Sequence, residues 1–352
     1  MTTFVRSQEI EQDLGPSGRF ALRVTSPDVE LHATDTTTAR VRVQFELRAD
    51  TDAEADELFE RVRFHVRQAD GVLEVTEPKH GSSGIGSIVR LFGTGSAKIE
   101  ATLVAEVPAG TDITFDGVSA DVTATGFTGT QEFRTVSGDL VLHPVGGDLR
   151  VRGVSSDVSL RGDAPLKLEM NTVSGDVSAF APRFDELRLI TVSGDVELEG
   201  LLAPGPQHRV ETVSGDLLLA TGGGLTLEVR GLSTDASVSL PHRSEGSRDR
   251  RRFVVGGGEA SLLFSSMSGD VVVNGPRRGS GSSPPLPPLP PLPPLPALPP
   301  LPPLGATPPT PPRPPRRQLS EAEQLEVLQA LERGEIDVEE ATARLAGEPS
   351  DA

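Results

Sequence analysis

One hexapeptide, repeated along the chain, limits the fold more than any other feature. T-V-S-G-D-V stands at residues 172–177 and 191–196, and T-V-S-G-D-L at 135–140 and 212–217. Looser copies are G-V-S-A-D-V at 117–122, G-V-S-S-D-V at 153–158, G-L-S-T-D-A at 231–236 and S-M-S-G-D-V at 266–271. The aspartates fall at 121, 139, 157, 176, 195, 216, 235 and 270, in steps of 18, 18, 19, 19, 21, 19 and 35. A period near 19 residues marks stacked structural repeats. The last step reads as two periods with one marker lost.

Between the markers apolar and polar residues alternate, as in Leu187-Arg188-Leu189 and Val196-Glu197-Leu198. Strict period-two alternation marks short strands with one buried face. Each repeat therefore reads as two short strands and two bends, one coil of an all-β solenoid. Coils stacked at ~4.8 Å make about eight turns from residue 117 to residue 273, a rod ~40 Å long. An antiparallel β-sandwich is the runner-up, because turns every 8–12 residues also suit one. Trp and Tyr are absent and aromatics are only 4% of the 352 residues, which favours a thin core of Leu and β-branched side chains.

Ser and Asp never change across the eight copies, and the residue between them is Gly, Ala, Ser or Thr. A turn that required positive φ would require Gly, so ordinary turn geometry is expected and only smallness is demanded. Ser and Asp side chains bond nearby backbone amides in turns, and corner amides are those the strand ladders leave unpaired. The expected structural turn ladder is Ser119, Asp121, Ser137, Asp139, Ser155, Asp157, Ser174, Asp176, Ser193, Asp195, Ser214, Asp216, Ser233, Asp235, Ser268 and Asp270. A Ca²⁺-binding solenoid is a competing reading, since carboxylates ~5 Å apart repel by ~0.8 kcal/mol even in water. Ca²⁺ wants six to eight oxygens, and one carboxylate per coil supplies few.

The serial V-S-G-D-[VL] turns follow a strand at 98–107 and the bend Pro108-Ala109-Gly110. Together they resemble the bacterial putative-adhesin family of β-strand-repeat proteins (DUF4097-like) over residues 20–273. The resemblance implies a β-repeat fold and, by the family's name, surface adhesion; it offers no catalytic residues.

Residues 20–110 read as an N-terminal β cap, after a tail at 1–19. Ser26-Pro27-Asp28 is a degenerate first turn, and Val41, Val43, Phe45 and Leu47 alternate in a strand. Thr51-Asp52-Ala53-Glu54 has capping-box spacing and starts a short helix through Phe59. Val62, Phe64 and Val66 then alternate as a strand that Asp70-Gly71 turns into a hairpin. Such a segment would cover an open solenoid end. The Gly/Ser-rich stretch 81–96 reads as a loop that folds its apolar residues onto the cap, and residues 241–252 as a basic loop interrupting the repeats that begin at 111 and end at 275.

The linker, 276–318, is rich in proline. Leu286, Leu289, Leu292, Leu295, Leu298, Leu301 and Leu304 recur every third residue, which aligns them along a polyproline II rod ~65 Å long. The rod is a spacer or a ligand for a groove that reads P-x-x-P. The head, 319–352, begins with the capping box Ser320-Glu321-Ala322-Glu323 and carries Leu325, Leu328, Leu331, Ile336 and Leu345 at the spacing of a small α-helical pair. Its stretch R-G-E-I…E-E-A resembles the SHOCT-like helix-pair domain. Some thirty residues bury little surface, so self-association or docking on a protein partner is expected through these helices.

The net charge of −18 argues against non-specific binding to nucleic acid or anionic membranes. No stretch approaches a membrane span, no apolar leader opens the chain, and Cys is absent; the expected location is cytoplasmic, with the cell surface as the alternative. His32, His65, His80, His143, His208 and His242 recur with no Ser–Asp pair, so no triad follows from spacing, and no P-loop or G-x-S-x-G appears. No cofactor is expected. The sequence points to a non-enzymatic scaffold or protein-interaction protein, by family analogy in envelope-stress responses, with a surface adhesin as the alternative.

Overall fold

The computed structural model describes residues 2–78, 99–247 and 250–276. Within them lie twenty-two strands and one helix. The N-terminal part holds β1 (Thr2–Asp13), β2 (Arg19–Arg23), β3 (Asp28–Thr34), β4 (Thr38–Ala49), α1 (Asp52–Val62), β5 (His65–Ala69), β6 (Val72–Thr76) and β7 (Ile99–Pro108). The repeats hold β8 (Asp112–Asp116), β9 (Val122–Thr125), β10 (Gln131–Arg134), β11 (Leu140–Arg152), β12 (Val158–Asn171), β13 (Val177–Ile190), β14 (Val196–Leu202), β15 (Gln207–Glu211) and β16 (Leu217–Ala220). The last elements are β17 (Leu225–Ser233), β18 (Ala236–Val238), β19 (His242–Ser247), β20 (Arg250–Val255), β21 (Ala260–Ser268) and β22 (Val271–Asn274).

Two parallel ladders run the length of the stack, which settles the architecture as a solenoid and not an antiparallel sandwich. One passes through β6, β2, β8, β10, β11, β12, β13, β15, β21 and β17. The other passes through β7, β3, β9, β11, β12, β13, β14, β16, β22 and β18. Long strands such as β11 serve both, one half in each ladder.

Register places like residues over like, so the core is built of columns. Leu22, Phe115, Phe133, Val151, Met170, Leu189, Val210, Phe264 and Val229 follow one another from coil to coil, all buried. The phenylalanines take this interior after all: Phe20, Phe45, Phe115, Phe127, Phe133, Phe184 and Phe264 are among the largest fully buried side chains. A neighbouring column carries two polar residues. Gln131 donates from Nε2 to the Gly146 carbonyl (2.8 Å), and His208 Nε2 meets the Ala203 carbonyl at 2.9 Å. On the outer face charges oppose across the ladders, as in Arg150–Glu169 and Lys167–Asp148, both 3.5 Å, which penalises a slipped register.

At both ends the order of coils departs from the order of the chain. The coil made by β2 and β3 lies between that of β6 and β7 and that of β8 and β9. Likewise β21 and β22 insert between β15/β16 and β17/β18. The 35-residue step therefore reflects no lost marker. The chain lays down the outermost coil first, turns back through a hairpin, and fills the place beneath it. β19 and β20 pair antiparallel, and β20 pairs with β17, so residues 242–247 and 250–252, expected as part of a loop, are strand.

The N-terminal end is closed in the same manner. β4 lies antiparallel on β7, β1 on β4, and β5 on β6. Antiparallel strands end a parallel stack without offering the next coil's template. The first nineteen residues, expected as a tail, thus contain a twelve-residue strand, and the expected boundary near residue 110 does not divide two bodies, because β2, β3, β6 and β7 are coils. The expected cap forms in a shifted version: the Thr51 hydroxyl accepts from the Glu54 N–H (3.2 Å), but the Glu54 carboxylate accepts from the N–H of Asp50 (3.0 Å), one residue before the N-cap. The helix continues past Phe59 and ends at Val62, so the strand starts only at His65.

Candidate functional site

The repeated turns stack into one corner. Backbone bridges link Ser119, Ser137, Ser155, Ser174, Ser193, Ser214 and Ser268 in succession, and Ser233 pairs with Ser268 on its other side. The degenerate turn Ser26-Pro27-Asp28 extends the corner at the other end, since the Ser119 N–H donates to the Thr25 carbonyl (2.7 Å) and Val29 N–H to the Asp121 carbonyl (2.9 Å).

Six of the eight aspartates reach the next coil. Oδ1 of Asp121 accepts from the N–H of Asp139 (2.9 Å), Asp157 from Asp176 (2.8 Å), Asp176 from Asp195 (2.9 Å) and Asp195 from Asp216 (2.9 Å). Asp216 then accepts from Asp270, and Asp270 from Asp235, both at 2.8 Å. These bonds follow the spatial order of coils and not the sequence order. A charged acceptor suits a backbone donor better than a neutral one, and here it fills a gap in the ladder where the chain turns. Ser contributes mainly through its backbone; Ser137 adds an Oγ contact of 3.3 Å to Ser119 Oγ.

The middle residue corrects the expectation of ordinary geometry. Gly138, Gly175, Gly194, Gly215 and Gly269 have φ of 104°, 117°, 125°, 146° and 151°. A Cβ on Gly175 or Gly194 would overlap the carbonyl oxygen of Ser156 or Gly175 in the coil beneath. Smallness and left-handed φ are both demanded in these five coils. Ala120 and Ser156, by contrast, are buried: their turns direct the side chain inward.

A compensating exchange within the motif permits this. Where the fourth residue is Gly, the first is Thr135, Thr172, Thr191, Thr212 or Ser266, all buried. Thr135 Oγ1 donates to the Ser137 carbonyl (2.8 Å), and Thr172 and Thr191 make the same bond at 3.2 Å. Where the fourth residue has a side chain, the first is Gly117, Gly153 or Gly231. A Cβ on Gly153 would lie 3.5 Å from Ser156 Cβ, and one on Gly231 would overlap Thr234. Across the eight copies a side chain stands at position one or at position four, never at both; the two positions overlap directly at Gly231 and Thr234, whereas a Cβ on Gly117 would overlap the Phe115 ring. Ser156 Oγ and Thr234 Oγ1 at position four have no hydrogen-bond partner, and neither do Thr212 Oγ1 and Ser266 Oγ at position one, so the threonine bond is made only at Thr135, Thr172 and Thr191. The sequence carried this signal in the pairing of positions one and four, not in position four alone.

The second residue of the motif points outward in every coil. Val118, Val136, Val154, Val173, Val192 and Val213 are 42–49% exposed, Met267 56% and Leu232 81%. Eight stacked apolar side chains form a ridge beside the aspartate column. Seven steps of ~4.8 Å make it ~34 Å long.

The remaining titratable groups do not converge on a reaction centre. Among the described residues no three His, Cys, Asp or Glu side chains lie close enough to hold a metal ion. His32 Nδ1 meets Thr125 Oγ1 at 3.0 Å, whereas His208 sits alone in the core column. A shallow depression on the outer face is lined by Asp148, Arg150, Lys167, Glu169, Glu186 and Arg188, the charges of the cross-coil ladder. At the C-terminal end Glu228 binds Arg230 (2.8 Å) and Arg250 (2.7 Å); these bonds, Arg230's first, hold its carboxyl below the usual range. Leu286–Leu304, the head leucines, Ile336, His80 and the Gly/Ser-rich stretch 81–96 lie outside the described residues.

Three solved structures are similar to this chain at low identity. A "putative lipid binding protein" from Parabacteroides distasonis is 12% identical, with 77% of this chain and 94% of that one covered and a TM-score of 0.36. A "putative adhesin" from Bacteroides fragilis is 13% identical, covering 76% and 97%, TM-score 0.32. A "putative cell adhesion protein" from Clostridium sporogenes is 10% identical, covering 77% and 100%, TM-score 0.22. No curated protein matches the sequence. The Toastrack DUF4097 profile matches residues 19–274, the whole stack from β2 to β22, and the chain belongs to that family.

Proposed function

We propose that this chain is a non-enzymatic scaffold or protein-interaction protein whose β-repeat rod presents one corner to a protein partner. The observation that carries the reading is the outward Val, Leu or Met at the same place in all eight coils. The Ser and Asp of the repeat are engaged in backbone pairing, which gives the motif an architectural task; the exposed apolar residue has none in the fold. Contiguous apolar surface of this kind marks interaction sites. The helix pair expected at 319–352 is a second contact region, for self-association or for the same partner.

Cross-linking in a host extract followed by quantitative mass spectrometry tests the reading. Three baits are compared: the full chain, a Val154→Ser/Val173→Ser/Val192→Ser variant, and a chain ending at residue 317. At least one protein should be enriched by the full chain and lost with the ridge variant. The same partner profile for all three baits would contradict it.

A further inference from the structure

We infer that the ridge and its aspartate column bind a basic, proline-rich segment in the polyproline II conformation, with an apolar residue at every third position. The inference rests on the interaction reading above and names the chemistry of the partner.

Spacing selects the conformation. Ridge side chains recur once per coil, so alternate rungs are ~9.6 Å apart. Three residues of polyproline II advance ~9.3 Å. An apolar residue in every third position therefore meets every second rung, and the mismatch grows to only ~1 Å over the eight rungs. Two residues of a β-strand advance ~6.8 Å and fall between rungs. Seven residues of an α-helix advance ~10.5 Å, and lose register by ~3 Å over the same length. A stiff, preordered segment also loses little conformational entropy on docking along the ridge.

Charge selects the flanking residues. Three positions after each ridge residue stands an exposed aspartate, at 121, 139, 157, 176, 195, 216, 270 and 235 in stack order. The ladder bonds use Oδ1, which leaves Oδ2 outside the ladder. The column is thus a line of negative charge parallel to the apolar ridge, on a chain of net charge −18. Arginine or lysine beside the apolar positions matches it. A second copy of this ridge would set aspartate column near aspartate column, and an anionic lipid surface would be repelled.

Fluorescence anisotropy with the full chain tests the proposal. The probe is a labelled synthetic peptide of five Pro-Pro-Leu repeats with two arginines at each end; the control has the same composition with the leucines out of period. Binding of the periodic peptide should be at least tenfold tighter than that of the control, and should weaken with salt. The Val154→Ser/Val173→Ser/Val192→Ser variant should lose at least tenfold. An Asp157→Asn/Asp176→Asn/Asp195→Asn variant keeps the Oδ1 acceptor, so it should melt near the wild type while losing most of the salt dependence. Equal binding of the two peptides, no binding of either, or binding indifferent to the ridge substitutions would overturn the inference. Concentration-dependent dimerisation abolished by the ridge variant would overturn it in favour of a second copy. A ridge-dependent protein partner without peptide binding would leave the broader interaction reading standing.

Discussion

A carboxylate at six of the eight corners replaces a strand neighbour that the turning chain cannot supply. Asp195 Oδ1 accepts from Asp216 N–H at 2.9 Å, so Asp195→Ala orphans that amide and should cost about 1–2 kcal/mol. Asp195→Asn, which keeps the acceptor, should cost less than about 0.5 kcal/mol; chemical denaturation of both variants checks the difference. Because one oxygen is committed to the backbone in six of the eight rungs, Ca²⁺ at millimolar concentration should leave the melting temperature unchanged, and a rise of several degrees would revive the metal reading. At Gly194, φ is 125° and the Gly175 carbonyl blocks a Cβ. Gly194→Ala should cost about 2 kcal/mol or more. The double substitution Thr191→Gly/Gly194→Ala recreates the arrangement of Gly117 and Ala120 and should recover about half of the loss, a coupling that a double-mutant cycle measures. Ser and Asp were legible because they repeat. The left-handed turn was misread because three coils reach the same corner by another route, visible only when positions one and four are read together.

Among the elements, those with an apolar period were legible and those with polar inward faces were not. β4 and the β5–β6 hairpin announced themselves by alternation and by Asp70-Gly71. β1 did not, because its buried face includes Gln8, which is satisfied by donating to the Phe64 carbonyl (3.0 Å) and accepting from its N–H (2.9 Å). The β19–β20 hairpin was hidden because His242, Arg243, Ser244 and Glu245 are all exposed and show no alternation. Its tie to the stack is Glu228, whose carboxyl is lowered by Arg230 and then Arg250. A depressed folded value stabilises above the unfolded pKa of ~4.3 and is lost as pH falls through the folded value. Hydrogen exchange should therefore show 250–255 exchanging faster in Glu228→Gln than in the wild type at pH 7, with the two converging only once the pH falls below the depressed folded value. The pair is partly exposed, so the effect on global stability should stay below about 1 kcal/mol.

Over the whole molecule, the period of the motif foretold stacking but not the order in which coils stack. Register within the middle coils follows the chain, as expected when sequential units are neighbours. At the N-terminal end the chain lays the inner coil β2/β3 before the outer coil β6/β7, at the C-terminal end it lays the outer coil β17/β18 before the inner β21/β22, and antiparallel strands pair onto both ends. Local spacing records only that 35 residues separate two markers; which coil lies between which others is decided by long-range pairing. The order of the aspartates, 216 then 270 then 235, joins the residue and molecular scales.

Engineered disulfides test that order most directly, in a chain that has no cysteine of its own. Val213, Met267 and Leu232 occupy consecutive rungs, and neighbouring rungs ~4.8 Å apart fall within disulfide reach. Val213→Cys with Met267→Cys, and Met267→Cys with Leu232→Cys, should oxidise readily in the folded protein. Val213→Cys with Leu232→Cys, two rungs apart, should stay reduced. Ready cross-linking of 213 to 232 with none between 213 and 267 would mean that the coils follow chain order and that the corner column described here is wrong.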